Sequence, residues 1–125
     1  MLELTIKETV YQFNFGVGFL REINKRLGKP IDGIPGEKEN IGAQFKIAGV
    51  IAGDVEALVD VLDVANKTEK PRVTRDLLDY HIDNEVEDID TLFESVIDFL
   101  KQKNATKKIT LNLLKEYEKQ MKAEA

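Results

Sequence analysis

The sequence predicts an α+β fold that is mostly α: an N-terminal β-hairpin followed by five or six helices, in a single domain spanning 1–125. Three observations carry this reading. Positions 2–15 alternate apolar and polar side chains twice, either side of a short polar interval. Segment 55–65, read at 100° per residue, is apolar around nearly its whole circumference. Most of the remaining chain has apolar residues three and four apart, between polar or proline-bearing stops.

In the hairpin, about 2–15, Leu2, Leu4 and Ile6 alternate with Glu3, Thr5 and Lys7, and Tyr11, Phe13 and Phe15 alternate with Gln12 and Asn14. Lys7, Glu8 and Thr9 read as the turn between them. Two strands alone are marginal in water, so the aromatic row must lie on helices or on another chain. The helical body, about 17–122, starts with Phe19, Leu20, Ile23 and Leu27 on one face, and Gly28 and Pro30 stop that helix. Segment 28–40 holds three of the eight glycines and two of the three prolines and is expected to be a mobile loop. Asn40 can cap a helix to about Ala52, with Phe45, Ala48 and Ile51 inward and Gly42 and Gly49 weakening it unless a neighbour packs close there.

Segment 54–66 is the expected centre of the core. Asp54 is its N-cap, and Gly53 suits the end of the preceding helix. Its only wet edge is the stripe Glu56, Asp60 and Asp63, extended by Lys67. The four valines of the segment 54–66 permit a strand reading of 55–61, but Leu58, Leu62 and Asp63 break the alternation. A polar link with Pro71 follows, then a short helix capped by Thr74 and reaching about Asn84. Asp90 starts a helix over 91–103, with Leu92, Phe93, Val96, Ile97, Phe99 and Leu100 opposite Glu94, Asp98 and Lys101. A last helix, to about Lys122, carries Ile109, Leu113, Leu114, Tyr117 and Met121 on one face. Leu111 stands apart, on the side of Lys107, Lys108, Lys115 and Lys122.

Composition narrows the chemistry. A chain of 125 residues buries roughly two-thirds of its unfolded surface, enough for a core without staples. It has no cysteine, hence no disulfide, thiolate metal site or Cys nucleophile. Neither a membrane span nor a secretory signal is expected. Twenty-three acidic against 18 basic side chains give a net charge of −5, which disfavours a large duplex-binding surface, so nucleic acid and membrane are not expected partners.

Few residues suggest chemistry. Gly16 and Gly18 sit where a dinucleotide fingerprint would, but position 21 is Arg and no second parallel strand follows, so they read as a strand-to-helix turn. Asp83, Glu85, Glu87 and Glu94 fall at positions 1, 3, 5 and 12 of a calcium-binding loop. That loop's essential glycine is Asp88 here, and the acids more simply flank a helix N-terminus. His81, the only histidine, projects to an apolar side and reads as hydrogen-bonded at a core margin. Ser95, the only serine, has no neighbouring base. No catalytic residue, metal site or cofactor is expected, and the chain is not read as an enzyme.

The arrangement as a whole resembles the tail assembly chaperones of long-tailed (siphovirus-type) phages and prophages of Gram-positive bacteria. Four stretches carry the resemblance: LTIKETVYQFNFGVGFLREINKR at 4–26, GDVEALVDVLDVANK at 53–67, PRVTRDLLDYHID at 71–83 and DIDTLFESVIDFLKQKNATKK at 88–108. The aromatic hairpin running into FLREIN is its most specific part, with DIDTLFESVIDFLK. Where the family tends to have Asn-Gly at the hairpin turn, this chain has Glu8 and Thr9.

The resemblance implies a non-enzymatic role in the host cytoplasm: binding the long, apolar tape measure protein and keeping it soluble while tail tube subunits polymerise around it. It implies absence from the mature virion, and recruitment of the tail tube protein through a longer, frameshifted form. A homo-oligomer is a further expectation, through the hairpin edge or the last helix. Candidate partner-binding residues are Tyr11, Phe13 and Phe15 on the hairpin and Leu111, Leu114 and Tyr117 on the last helix, each with an alternative place in the core. Two other classes stay open: a calcium-responsive binding module resting on 83–94, and a small acidic regulatory protein.

Overall fold

The computed structural model describes residues 1–27 and 41–124. Strands β1 (Leu2–Ile6) and β2 (Thr9–Phe13) pair antiparallel, with Leu2 opposite Phe13 and Ile6 opposite Thr9. That register makes the turn two residues long rather than three. Its residues, Lys7 and Glu8, both have positive φ, 46° and 70°, the backbone of a type I′ hairpin. Neither is Gly or Asn, so the turn relies on outside support. The Lys7 N–H donates to Glu85 Oε2 (3.1 Å), and Lys7 Nζ lies 4.3 Å from the centroid of the Tyr80 ring.

The hairpin lays Leu2, Ile6, Tyr11 and Phe13 on the helices. The chain then turns sharply: Asn14 Oδ1 accepts from the Gly16 N–H (3.0 Å), and Phe15 meets Phe19 edge to face at 5.3 Å. Helix α1 (Val17–Leu27) buries Phe19 and Ile23, as its periodicity predicts. Positions 28–40, including the expected stops at Gly28 and Pro30, the mobile loop and the Asn40 cap, lie outside the described residues.

Helix α2 (Ile41–Ile51) departs from the sequence reading. Ala43, Ile47 and Val50 face the core, while Phe45 is 69% exposed and Ala48 and Ile51 are half-buried. The two glycines explain the rotation. A Cβ on Gly42 would stand 2.5 Å from the Ile23 carbonyl oxygen, and one on Gly49 would stand 2.7 Å from Ala57 Cβ. α2 therefore packs glycine-first against both α1 and α3, and Phe45 is turned out. The N–H of Ala43 in its first turn is met by Asn24 Oδ1 of α1 (2.8 Å).

Helix α3 (Val55–Asn66) is the buried centre. Asp54 caps it through Glu56 and Ala57 N–H groups, and Gly53 closes the preceding turn at φ 86°. Nine of its residues are buried; Val55, expected inside, is exposed at the first turn. The wet edge is covered by cations. Asp60 pairs with Lys46 (2.5 Å) and Arg75 (2.7 Å), and Asp63, itself buried, with Arg72 (2.9 Å). Fully buried Asn66 ends the helix: its Nδ2 donates to the carbonyls of Gln12 (2.9 Å) and Pro71 (3.1 Å). Its Oδ1 accepts from the Val73 N–H (2.6 Å) and Arg72 Nη1 (3.0 Å). A second strap runs from the Asn14 N–H to the Ala65 carbonyl (2.8 Å).

Helix α4 (Arg75–Tyr80), capped by Thr74, is shorter than expected and gives way to a π-helical turn over His81–Glu85. There the Val86 N–H reaches the carbonyl of His81 five residues back (3.0 Å). Helix α5 (Ile89–Gln102) begins earlier than predicted because Asp88, not Asp90, is its cap. Asp88 accepts from the Asp90 N–H and the Thr91 hydroxyl (3.0 Å each). Leu92, Phe93, Val96 and Leu100 bury its inner face. Helix α6 (Asn104–Glu124) packs on α5, α2 and α1 and completes one cluster of buried apolar side chains.

Two predictions follow from this packing. Gly42→Ala raises helix propensity yet should destabilise by about 1–3 kcal/mol, because a backbone carbonyl blocks the methyl. A denaturant midpoint equal to or above wild type contradicts the close approach. The second concerns Asp60. Burial alone would raise its pKa, but hydrogen bonds and charge from Lys46 and Arg75 outweigh that and hold it below the ordinary 3.8. A folded pKa below the unfolded one means the pair stabilises above the unfolded value and loses its contribution as pH falls through the folded one. Wild type should therefore exceed Asp60→Asn in stability at neutral pH, with the gap closing below 3.8. A gap that stays constant from pH 7 to pH 3 removes the assignment.

Candidate partner-binding surface

The six residues that the sequence nominates for partner binding separate cleanly. Tyr11, Phe13 and Phe15 are 8%, 0% and 0% exposed and are occupied by internal packing. Leu111 and Tyr117 are 40% and 36% exposed, and Leu114 is half-buried. The structure thus brings together the α6 residues and separates them from the hairpin aromatics.

The reason lies in how α6 docks. Its innermost side chains are Thr106 and Thr110, both fully buried, with Ile109 and Leu113 half-buried beside them. The threonines are tolerated because each hydroxyl has a partner: Thr106 Oγ1 donates to the Leu100 carbonyl (2.6 Å) and Thr110 Oγ1 to the Thr106 carbonyl (2.8 Å). This threonine-centred contact turns the predicted apolar face partly outward. From Lys115 to Ala123 every side chain is exposed, Tyr117 and Met121 among them. Between the end of α5 and the middle of α6 runs an open, mostly apolar groove. Leu111 and Leu114 line it, together with Lys101, Lys108, Asn112, Lys115 and Glu118.

The residues that suggested chemistry have structural work. Gly16 serves the strand-to-helix turn. His81, 9% exposed, shares a 2.7 Å contact through Nδ1 with Glu85 Oε1. The hydrogen bond from His81 and the one from the Lys7 backbone hold the Glu85 carboxyl below its ordinary range. Asp83 and Glu85 lie in the π-helical turn and Asp88 is a helix cap, so 83–88 does not form a ligand loop. Among the described residues no three His, Cys, Asp or Glu side chains converge as a metal set, and no helix is long and apolar enough to cross a membrane.

Two features escaped the sequence reading. Phe45, the most exposed of the large apolar side chains described, reads as inward from its spacing with Ala48 and Ile51, but the close approach of α1 and α3 to Gly42 and Gly49 turns it out. The buried pair Thr106 and Thr110 could have been found from their four-residue spacing, continued by Leu113. The two halves of the nominated set should respond oppositely to substitution. Phe13→Ala should cost about 3–5 kcal/mol in denaturant unfolding, and Leu111→Asp should stay within about 0.5 kcal/mol of wild type. Similar losses at both positions would show that Leu111 is not free.

No curated protein and no solved structure matches the chain. The family model described as phage tail assembly chaperone protein, TAC, matches residues 3–115, from β1 into the middle of α6. With the hairpin, the helical body and most of the groove inside that span, this chain belongs to the phage tail assembly chaperone family.

Proposed function

We propose that the chain is a non-enzymatic chaperone of the host bacterial cytoplasm that binds the tape measure protein and keeps it soluble during tail tube assembly. It then departs and is absent from the mature virion. The observation that carries this reading is the family match over nearly the whole chain. The physical rationale is that a long client exposing apolar helix faces aggregates unless those faces are covered. α6 supports it with apolar side chains that internal packing leaves open: Leu111, Leu114 and Tyr117 are the proposed client contacts. The hairpin aromatics act from within, by holding the body on which α6 rests.

The tail tube protein is the second proposed partner, recruited through a longer, frameshifted form, and self-association is proposed through the hairpin edge or α6. Nucleic acid and membrane have no part in the proposal.

Co-expression with the tape measure protein encoded nearby tests the reading. A soluble complex should elute on gel filtration, and it should be lost in Leu111→Asp/Tyr117→Asp while the variant chain itself stays folded. A tape measure protein equally soluble alone, with no complex, refutes it. The same column reads the size of the free chain, and a strict monomer at high concentration removes the self-association.

A further inference from the structure

Several cations of this protein are committed: Lys46 and Arg75 to Asp60, Arg72 to Asp63, Lys67 to Glu22 and, at the flank of the groove, Lys101 to Asp98 (3.4 Å). On α6, Lys108 and Lys115 have no carboxylate at ion-pair distance among the described residues. The sign of the chain also reverses there. Residues 76–98 hold nine Asp and Glu and no Lys or Arg, whereas 101–125 hold seven lysines against three glutamates. Among the described residues, a chain of net charge −5 thus presents Lys108 and Lys115 unpaired at the rim of its apolar groove, where Glu118 is the one acid in the lining.

Lys108, Leu111 and Lys115 form one stripe, with Leu114 beside it and Lys101 contributed by α5. The two lysines are seven residues apart, about 10.5 Å along the helix. From this arrangement we infer that the groove takes an acidic amphipathic helix of the client. Its apolar stripe lies on Leu111 and Leu114, and its carboxylates, two turns apart, meet Lys108 and Lys115. The inference rests on the chaperone reading and gives it a place and a chemistry. Helix-in-groove binding draws affinity from the apolar anchors, and the lysine rim selects sign and orientation.

A second copy of this chain fits the groove less well, despite its acidic stretch. The apolar side chains of 76–98 are already engaged: Leu78, Leu92, Phe93 and Val96 are buried, Leu77, Ile82, Val86, Ile89 and Ile97 pack half-buried against the same core, and the exposed Tyr80 ring lies against Lys7. Nucleic acid fits less well too, because a leucine floor replaces the stacking surface that bases use.

The probes are two synthetic helical peptides with the same leucine stripe, one flanked by glutamates and one by lysines, titrated with the full chain by fluorescence anisotropy. The glutamate peptide should bind roughly tenfold tighter or better, less so as salt rises. Lys108→Glu/Lys115→Glu should abolish or invert that preference, and Leu111→Asp should weaken both peptides, with circular dichroism unchanged. Equal affinity for the two peptides, binding of neither, or an unchanged preference in the reversed variant overturns the proposal. So does a change of oligomeric state in Leu111→Asp, which would make the groove a contact between copies, or tighter binding of a single-stranded oligonucleotide. Co-expression separates the two levels. If wild type and Lys108→Glu/Lys115→Glu solubilise the tape measure protein equally, the chaperone reading stands and the groove assignment falls. If wild type binds the glutamate peptide but leaves the client insoluble, the chaperone reading falls and the groove's chemistry stands.

Discussion

The fold depends on a single buried amide. Asn66 stands at the C-terminal end of α3 and is fully excluded from water. Both its donors and both acceptor positions of its oxygen are used, on Gln12, Pro71, Val73 and Arg72. One side chain thereby ties β2, α3 and the 71–73 link. A buried polar group so fully matched specifies a geometry as much as it stabilises one, since any other arrangement leaves several groups without partners. The strap from Asn14 to the Ala65 carbonyl runs beside it, so the two-stranded sheet, marginal by itself, is fastened at its open end to the most buried helix.

The other end of the hairpin is fastened differently. Two non-glycine residues at positive φ make its turn, which local preference does not favour. Glu85 takes the backbone N–H of Lys7 and also contacts His81, placing the support in the π-helical turn. The irregular helix and the irregular turn thus meet at one carboxylate. The only histidine has its place there, at the margin of the core where its isolation between apolar neighbours put it in the sequence.

What was legible in the chain follows from the kind of force involved. The hairpin, the order of the helices, the Asp54 and Thr74 caps and the burial of α3 all come from local pattern, which periodicity and capping chemistry report directly. The rotation of α2 was not legible, because glycine has no side chain to appear in a hydrophobic pattern and its effect exists only where Ile23 and Ala57 approach. The same holds for Asn66, which reads as the polar end of a helix until its four partners, up to 54 positions away, are known. At the candidate surface, sequence named Leu111, Leu114 and Tyr117 among six possibilities. It could not separate them from Tyr11, Phe13 and Phe15, since both sets are apolar rows of equal merit until one is covered. The lysines around the groove were visible as a basic side. That Lys101 is paired with Asp98 while Lys108 and Lys115 are not was hidden, because pairing is a property of the whole surface.

The 21 residues of α6 form one continuous helix of about 31 Å, but its two ends live under different conditions. The proximal turns are clamped by buried threonines against α5, while beyond Lys115 the backbone hydrogen bonds have water on every side. Helical stability in proteins comes mainly from packing, so the distal turns open and reclose far more often than the proximal ones, on a much smaller free-energy scale than global unfolding. Amide hydrogens along this one element therefore span fast to slow exchange. The distal third is thus the part of α6 held by its own backbone hydrogen bonds rather than by the core.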